Sequence, residues 1–117
     1  MASLPTQRTL KRLKEEGYTP AIVEKYNYFS RTRQDLYNFA DIVAIHPEKL
    51  GVLAIQTTSG SHASDRRKKI LDNPIVKIWL LGGNKVEVWS WAKQGPVGKR
   101  KVYTLKVTSI KLEEYDE

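Results

Sequence analysis

Two polar residues interrupt apolar runs that otherwise read as buried strands. Asp41 opens Ala40-Asp-Ile-Val-Ala-Ile-His46, and Gln56 follows directly on Leu53-Ala-Ile55. Buried strands normally exclude charge, so each residue needs a partner or a task. If the two strands are neighbours, the Asp41 carboxylate and the Gln56 amide converge at one sheet edge. Gln56 and Thr58 then share a face, by the period of two. Oxygen ligands so placed suit Mg²⁺ or Mn²⁺, which keep several waters and take few protein ligands. The plainer alternative is that Asp41 caps a turn after Phe39-Ala40 and Gln56 is a satisfied strand-end amide.

A second group of residues could meet phosphate. In a helix over 62–72, Ala63, Arg67, Ile70 and Leu71 share one face at 100° per residue, with Arg67 at its centre. An arginine on the face meant for the sheet needs an anion, either Asp41 or a bound phosphate, unless its stem lies on the sheet and its head reaches water. Arg66, Lys68 and Lys69 are expected to point away, toward solvent or nucleic acid. Arg31 and Arg33 lie in the polar stretch before Asp41. The segment from Thr57 to Ser61, with hydroxyls at Ser59 and Ser61, precedes a helix N-terminus, where backbone N–H groups can hold an anion. Lys99-Arg100-Lys101 follows a Gly-Pro-Val-Gly loop. Trp79, Trp89 and Trp91 read as packing residues rather than stacking platforms. Glu87 shares the face of Trp89 and Trp91, which predicts partial exposure there.

The elements that must position these residues follow from pattern and punctuation. Residues 3–16 read as a helix capped by Ser3, with Pro5 in its first turn and Gly17 at its end; its seam is Thr6, Leu10 and Leu13. Strands are expected at 20–26, at 40–46 (apolar on both faces) and at 52–58. A turn at 46–51 joins the last two. The helix at 62–72 is capped by Ser61 or Ser64 and stopped by Pro74. Residues 75–81 read as a strand that turns through Gly82-Gly-Asn84 into another at 85–92, and a last strand covers about 101–111. The expected class is α/β or α+β: a single domain of 117 residues with a helix–three strands–helix–strand core over about 5–81, a β extension over about 82–112 and an acidic tail at 113–117.

Composition narrows the chemistry. The absence of cysteine excludes disulfides, thiolate zinc sites, iron–sulfur clusters and cysteine nucleophiles. Two histidines, His46 and His62, cannot build a histidine-rich zinc site. No run approaches the ~20 apolar residues of a membrane span, and Met1 to Lys14 lacks a signal-peptide core, so a soluble cytoplasmic protein is expected. The net charge is +7. Because four acids crowd the last five residues, residues 1–112 hold twenty basic against nine acidic groups, +11. Such a balance points to a polyanion, with nucleic acid the usual one.

The run Asp41-Ile-Val-Ala-Ile, a turn, and Leu53-Ala-Ile-Gln-Thr-Thr58 resembles the core of the PD-(D/E)XK nuclease superfamily, nearest to Holliday-junction-resolvase-like members and to short phage and prophage proteins. The resemblance covers about residues 5–81 and implies a restriction-endonuclease-like core. It implies a Mg²⁺- or Mn²⁺-dependent endonuclease acting on branched or duplex DNA, in the host cytoplasm if phage-encoded. A homodimer would suit a two-fold-symmetric junction. By position, Asp41 is the metal-binding aspartate, Gln56 stands at the D/E position, Thr57 offers the backbone carbonyl and Thr58 occupies the lysine position. Ala40 stands where proline is common, Gln56 is neutral and Thr58 carries no charge. The first-helix glutamate of junction resolvases has no clear counterpart among Thr6, Gln7 and Arg8. Arg67, or secondarily Lys68, could replace the lysine, and Glu24 or Asp35 the missing acid, Glu24 being better placed. The rival reading is a catalytically inactive DNA-binding protein on the same fold; an RNA-associated or scaffold role lacks any RNA-binding aromatic motif.

Overall fold

The computed structural model describes residues 4–95 and 98–115. The expected Ser3 cap, Pro96 and Val97 of the basic loop, and Asp116 and Glu117 of the tail lie outside the described residues. The described residues begin with α1 (Leu4–Glu15). Gly17, at φ +90°, ends it, as Tyr18 N–H returns to Leu13 O and Gly17 N–H to Lys14 O.

Seven strands follow: β1 (Thr19–Ile22), β2 (Lys25–Asn27), β3 (Thr32–Gln34), β4 (Ile42–His46), β5 (Lys49–Ser59), β6 (Lys85–Gln94) and β7 (Val102–Ile110). Between β5 and β6 lie a 3₁₀ turn at Gly60–His62 and two helices, α2 (Ala63–Leu71) and α3 (Pro74–Leu81). Among the described residues five strands form one mixed sheet in the order β1-β4-β5-β6-β7, with β5 and β6 parallel and the other neighbours antiparallel. The protein is therefore α+β. A parallel pair needs a crossover, and α2 with α3 supplies it.

Three expectations change. The strand read at 20–26 splits. β1 stays in the sheet, while β2 pairs with β3 in a separate two-stranded hairpin. The apolar run at 75–81 is helix α3, not a strand. Six apolar residues around Lys77 carry no decisive periodicity; the Asn73-Pro74 pair decides it, because the Asn73 side chain accepts from Ile75 N–H and Pro74 fits the first turn. The sheet's next strand is thus β6. Finally, β4 is not buried on both faces: Ile42 and Ala44 are buried, whereas Ile45 is half-exposed.

The sheet separates two apolar clusters. On one face α1 lays Leu13 over Ile42, Ala44, Leu53, Ile55, Trp89 and Trp91. The Trp89–Trp91 face is therefore buried, against expectation. Trp91 Nε1 donates to Thr9 Oγ1 on α1, and Trp89 Nε1 donates to Glu87 Oε1, which accounts for the glutamate beside it. On the other face Ile70 of α2 and Val76 of α3 cover Ala54, Val86 and Val88. Among the described residues no helix is long and apolar enough to cross a membrane.

Candidate metal centre

Asp41 sits one residue before β4, held on both sides by the sheet. Its N–H donates to Ile55 O, and its carbonyl accepts from Val23 N–H. Register then sets it beside Gln56, since Ile42 pairs with Ile55. Asp41 is buried, and its Oδ2 accepts from Gln56 Nε2 (2.8 Å), Thr57 N–H (3.0 Å) and Thr57 Oγ1 (3.2 Å). The Thr6 hydroxyl of α1 lies 3.2 Å from that of Thr57. Three donors on one oxygen fix the carboxylate's orientation and leave Oδ1 as its remaining ligand atom.

Two more acids arrive from the ends of the hairpin. Glu24 immediately precedes β2 and Asp35 immediately follows β3. One carboxylate oxygen from each of Glu24, Asp35 and Asp41 lies within 4.8 Å of the others. Asp35 is steered by a tight turn in which Leu36 bridges Ala40 and both Tyr37 (φ 51°) and Asn38 (φ 65°) are left-handed. For tyrosine that conformation is uncommon and costs about 1 kcal/mol or more. Asn73, at the start of α3, secures the turn by donating to Tyr37 O.

The three acids share a cleft of about 300 Å³ with Thr6, Arg33, Gln56, Thr57, Arg66 and Lys69. Arg33 pairs with Glu24 at 3.6 Å. Fully ionised, three acids face three cations there. Burial, together with a hydrogen bond shared with Asp35, pushes the Asp41 carboxyl up to about 7; repulsion from Asp35 and Glu24 adds to this, and the Thr57 N–H opposes it. The donor set fits a hard divalent cation. Around octahedral Mg²⁺ neighbouring ligand oxygens stand about 3.0 Å apart and opposite ones about 4.2 Å, so three oxygens within 4.8 Å of one another would have to draw together for an ion to be shared. A dication would offset the burial that keeps a proton on Asp41, and with it the smaller repulsion from Asp35 and Glu24.

The sequence candidates are sorted by this geometry. Asp41, Gln56, Thr57, Glu24 and Asp35 converge, and both acids offered as replacements are present together. Gln56 donates to Asp41 through Nε2, and Thr57 meets Asp41 through its N–H and hydroxyl. Thr58 is buried and does not line the cleft. Arg67 does not reach Asp41. Its guanidinium pairs with Glu114 in the 3₁₀ turn Leu112–Tyr115, tying α2 to the end of the chain. The cations from α2 are instead Arg66 and Lys69, which were expected to point away. The signal was available: Ile70, the buried anchor of α2, has Arg66 four residues before it and Arg67 three before, so the two flank the apolar seam on opposite sides. Lys68 is exposed.

The remaining basic and hydroxyl candidates lie elsewhere. Neither Ser61 nor Ser64 caps α2, whose N-cap position is His62 without a side-chain cap bond. Ser59 and Ser61 line a separate cleft of about 670 Å³ with Ser90, Lys93, Tyr103 and Lys106. Lys99, Arg100 and Lys101 are exposed between β6 and β7, and Arg31 is exposed in the β2–β3 turn. Neither protein-family models nor curated proteins give a match to this chain.

Proposed function

We propose that this chain is a divalent-metal-dependent endonuclease that cleaves phosphodiester bonds of DNA, with branched substrates of the Holliday-junction type preferred. The observation that carries the reading is the convergence of Glu24, Asp35 and Asp41 in one cleft rimmed by Arg66 and Lys69. The +11 charge of residues 1–112 and the resemblance to PD-(D/E)XK nucleases support it.

The three carboxylates would hold Mg²⁺ or Mn²⁺. That ion would polarise the scissile phosphate and lower the pKa of the attacking water. Gln56 and Thr57 keep Asp41 turned inward through the bonds on Oδ2. Arg66 and Lys69, which line the same cleft, would meet the phosphate and the negative charge that grows on it. Arg33 holds Glu24 in place. The exposed cations at 31 and 99–101 would track the DNA backbone without reading sequence. The neutral Gln56 and uncharged Thr58 favour the second reading, a DNA-binding protein that no longer cuts.

A cleavage assay separates the two. Labelled four-way junction, linear duplex and single strand are each incubated with Mg²⁺, Mn²⁺ or EDTA. Wild-type protein runs beside Asp41→Asn and Gln56→Ala. Paired nicks in the junction alone, lost in EDTA and in Asp41→Asn, are expected. Cutting of every substrate would keep the nuclease and remove the junction preference. Binding without cutting under any metal would overturn the enzyme and leave the DNA-binding protein.

A further inference from the structure

We infer that the β2–β3 hairpin is a base-stacking element that engages unpaired nucleotides beside the acid cluster; this rests on the nucleic-acid reading above and deepens it. The hairpin's turn carries aromatic side chains with almost no cover: Phe29 is fully exposed, Tyr28 is 83% exposed and Tyr26 47%. Leaving a phenylalanine in water forgoes the roughly 2 kcal/mol its burial would give. The turn is nevertheless built to hold it out. Asn27 Oδ1 accepts from both Phe29 N–H (2.9 Å) and Ser30 N–H (3.3 Å), and the Ser30 and Thr32 hydroxyls meet at 2.6 Å. Tyr26 and Tyr28 pack edge to face at 4.9 Å, so one tyrosine braces the other.

Charge identifies the occupant. Lys25 and Arg31 are exposed on this ten-residue hairpin, Arg33 turns back to pair with Glu24, and no acid lies on it. An apolar protein surface would not call for that. Nucleic-acid strands do: aromatic rings stack on bases while neighbouring cations meet phosphates. Placement adds a further argument. Glu24 and Asp35, two members of the acid cluster, are the residues on either side of the hairpin, so its turn stands only four or five residues from them. At about 3.3 Å per residue that is roughly 15 Å, a few nucleotides along a strand. Paired bases inside a duplex hide their faces, so the hairpin needs a frayed end, a branch point or a single strand.

Wild-type protein in EDTA, which cannot cut, is titrated into a fluorescein-labelled oligothymidylate and into an abasic oligomer with the same number of phosphates. The base-bearing strand is expected to bind about 5- to 160-fold more tightly, the range for loss of one stacked base. Tyr28→Ala/Phe29→Ala should abolish that difference while leaving abasic-strand affinity and its salt dependence unchanged. Phe29→Trp should keep it. Equal binding of both strands by wild type, or discrimination that survives in the double variant, would overturn the inference. So would a dimer that dissociates on Phe29→Ala without base discrimination, which would assign the aromatics to contact between copies. The outcome is independent of cutting: base discrimination without cleavage keeps the stacking element and sinks the nuclease, and cleavage without discrimination does the reverse.

Discussion

Replacing Asp41 with asparagine should stabilise the metal-free protein at pH 8 while abolishing its response to Mg²⁺. The folded-state pKa of Asp41 is raised from 3.8 to about 7, so the folded chain holds a proton that the unfolded chain has released. Stability is therefore greatest below about pH 4, falls as pH rises, and has lost the full contribution above about pH 7. Three pKa units correspond to roughly 4 kcal/mol. Asparagine removes the charge but also weakens the bonds that Gln56 and Thr57 donate to Oδ2, so a gain of about 1–3 kcal/mol is expected. The asparagine carbonyl can still accept from Thr57 N–H, and its amide can donate to Asp35. In a domain of this size the gain raises Tm by roughly 4–12 °C. The assay is thermal unfolding of both proteins from pH 4 to pH 8, with and without 10 mM Mg²⁺. For a Kd of about 1 mM, that Mg²⁺ concentration stabilises the wild type by about 1.4 kcal/mol. The two metal-free curves should meet near pH 4, and Mg²⁺ should shift only the wild type. If Asp41→Asn melts below the wild type at pH 8 and still responds to Mg²⁺, the acid cluster is not a cation site.

Three further outcomes follow from the same geometry. Glu24→Gln and Asp35→Asn should each weaken Mg²⁺ binding at least about tenfold by calorimetry, since each removes one of three carboxylate ligands. Arg66→Ala or Lys69→Ala should lower cleavage by about 100-fold, whereas Arg67→Ala should leave cleavage intact and cost about 1 kcal/mol or less in urea unfolding, because its pair with Glu114 is partly solvated. Ile70→Ala should cost about 2–4 kcal/mol in the same unfolding measurement, because Ile70 is the buried anchor of α2 against the sheet.

The sequence was most informative where one residue type contradicts its surroundings. Asp41 and Gln56 stood out because they break apolar strands, and register alone brings them together. Glu24 and Asp35 could be offered only as alternatives, because nothing in the chain between them says that residues 25–34 close into a hairpin. Once β2 pairs with β3, residues eleven apart become neighbours and both acids reach the same cleft. Residues 75–81 form a helix where a strand is expected because a short apolar run is compatible with both, and Pro74, which reads as the stop of one helix, also starts the next. The partner of Arg67, left open between Asp41, a phosphate and water, is Glu114 in a C-terminal turn that helical periodicity cannot reveal.

The same hairpin explains the most discordant residue, Gln56. With Glu24 and Asp35 already beside Asp41, a glutamate at position 56 would make a fourth carboxylate in a cleft with three cations. An amide serves differently: it donates to Asp41 Oδ2 and orients the carboxylate. Gln56→Glu should therefore destabilise the metal-free protein at pH 8 by leaving Asp41 without that donor and adding repulsion, about 1–3 kcal/mol. The cost should shrink toward pH 4 as Asp41 protonates, and millimolar Mg²⁺ should recover much of it. A Gln56→Glu protein as stable as wild type at pH 8 would mean that the glutamine is not what holds Asp41 in place.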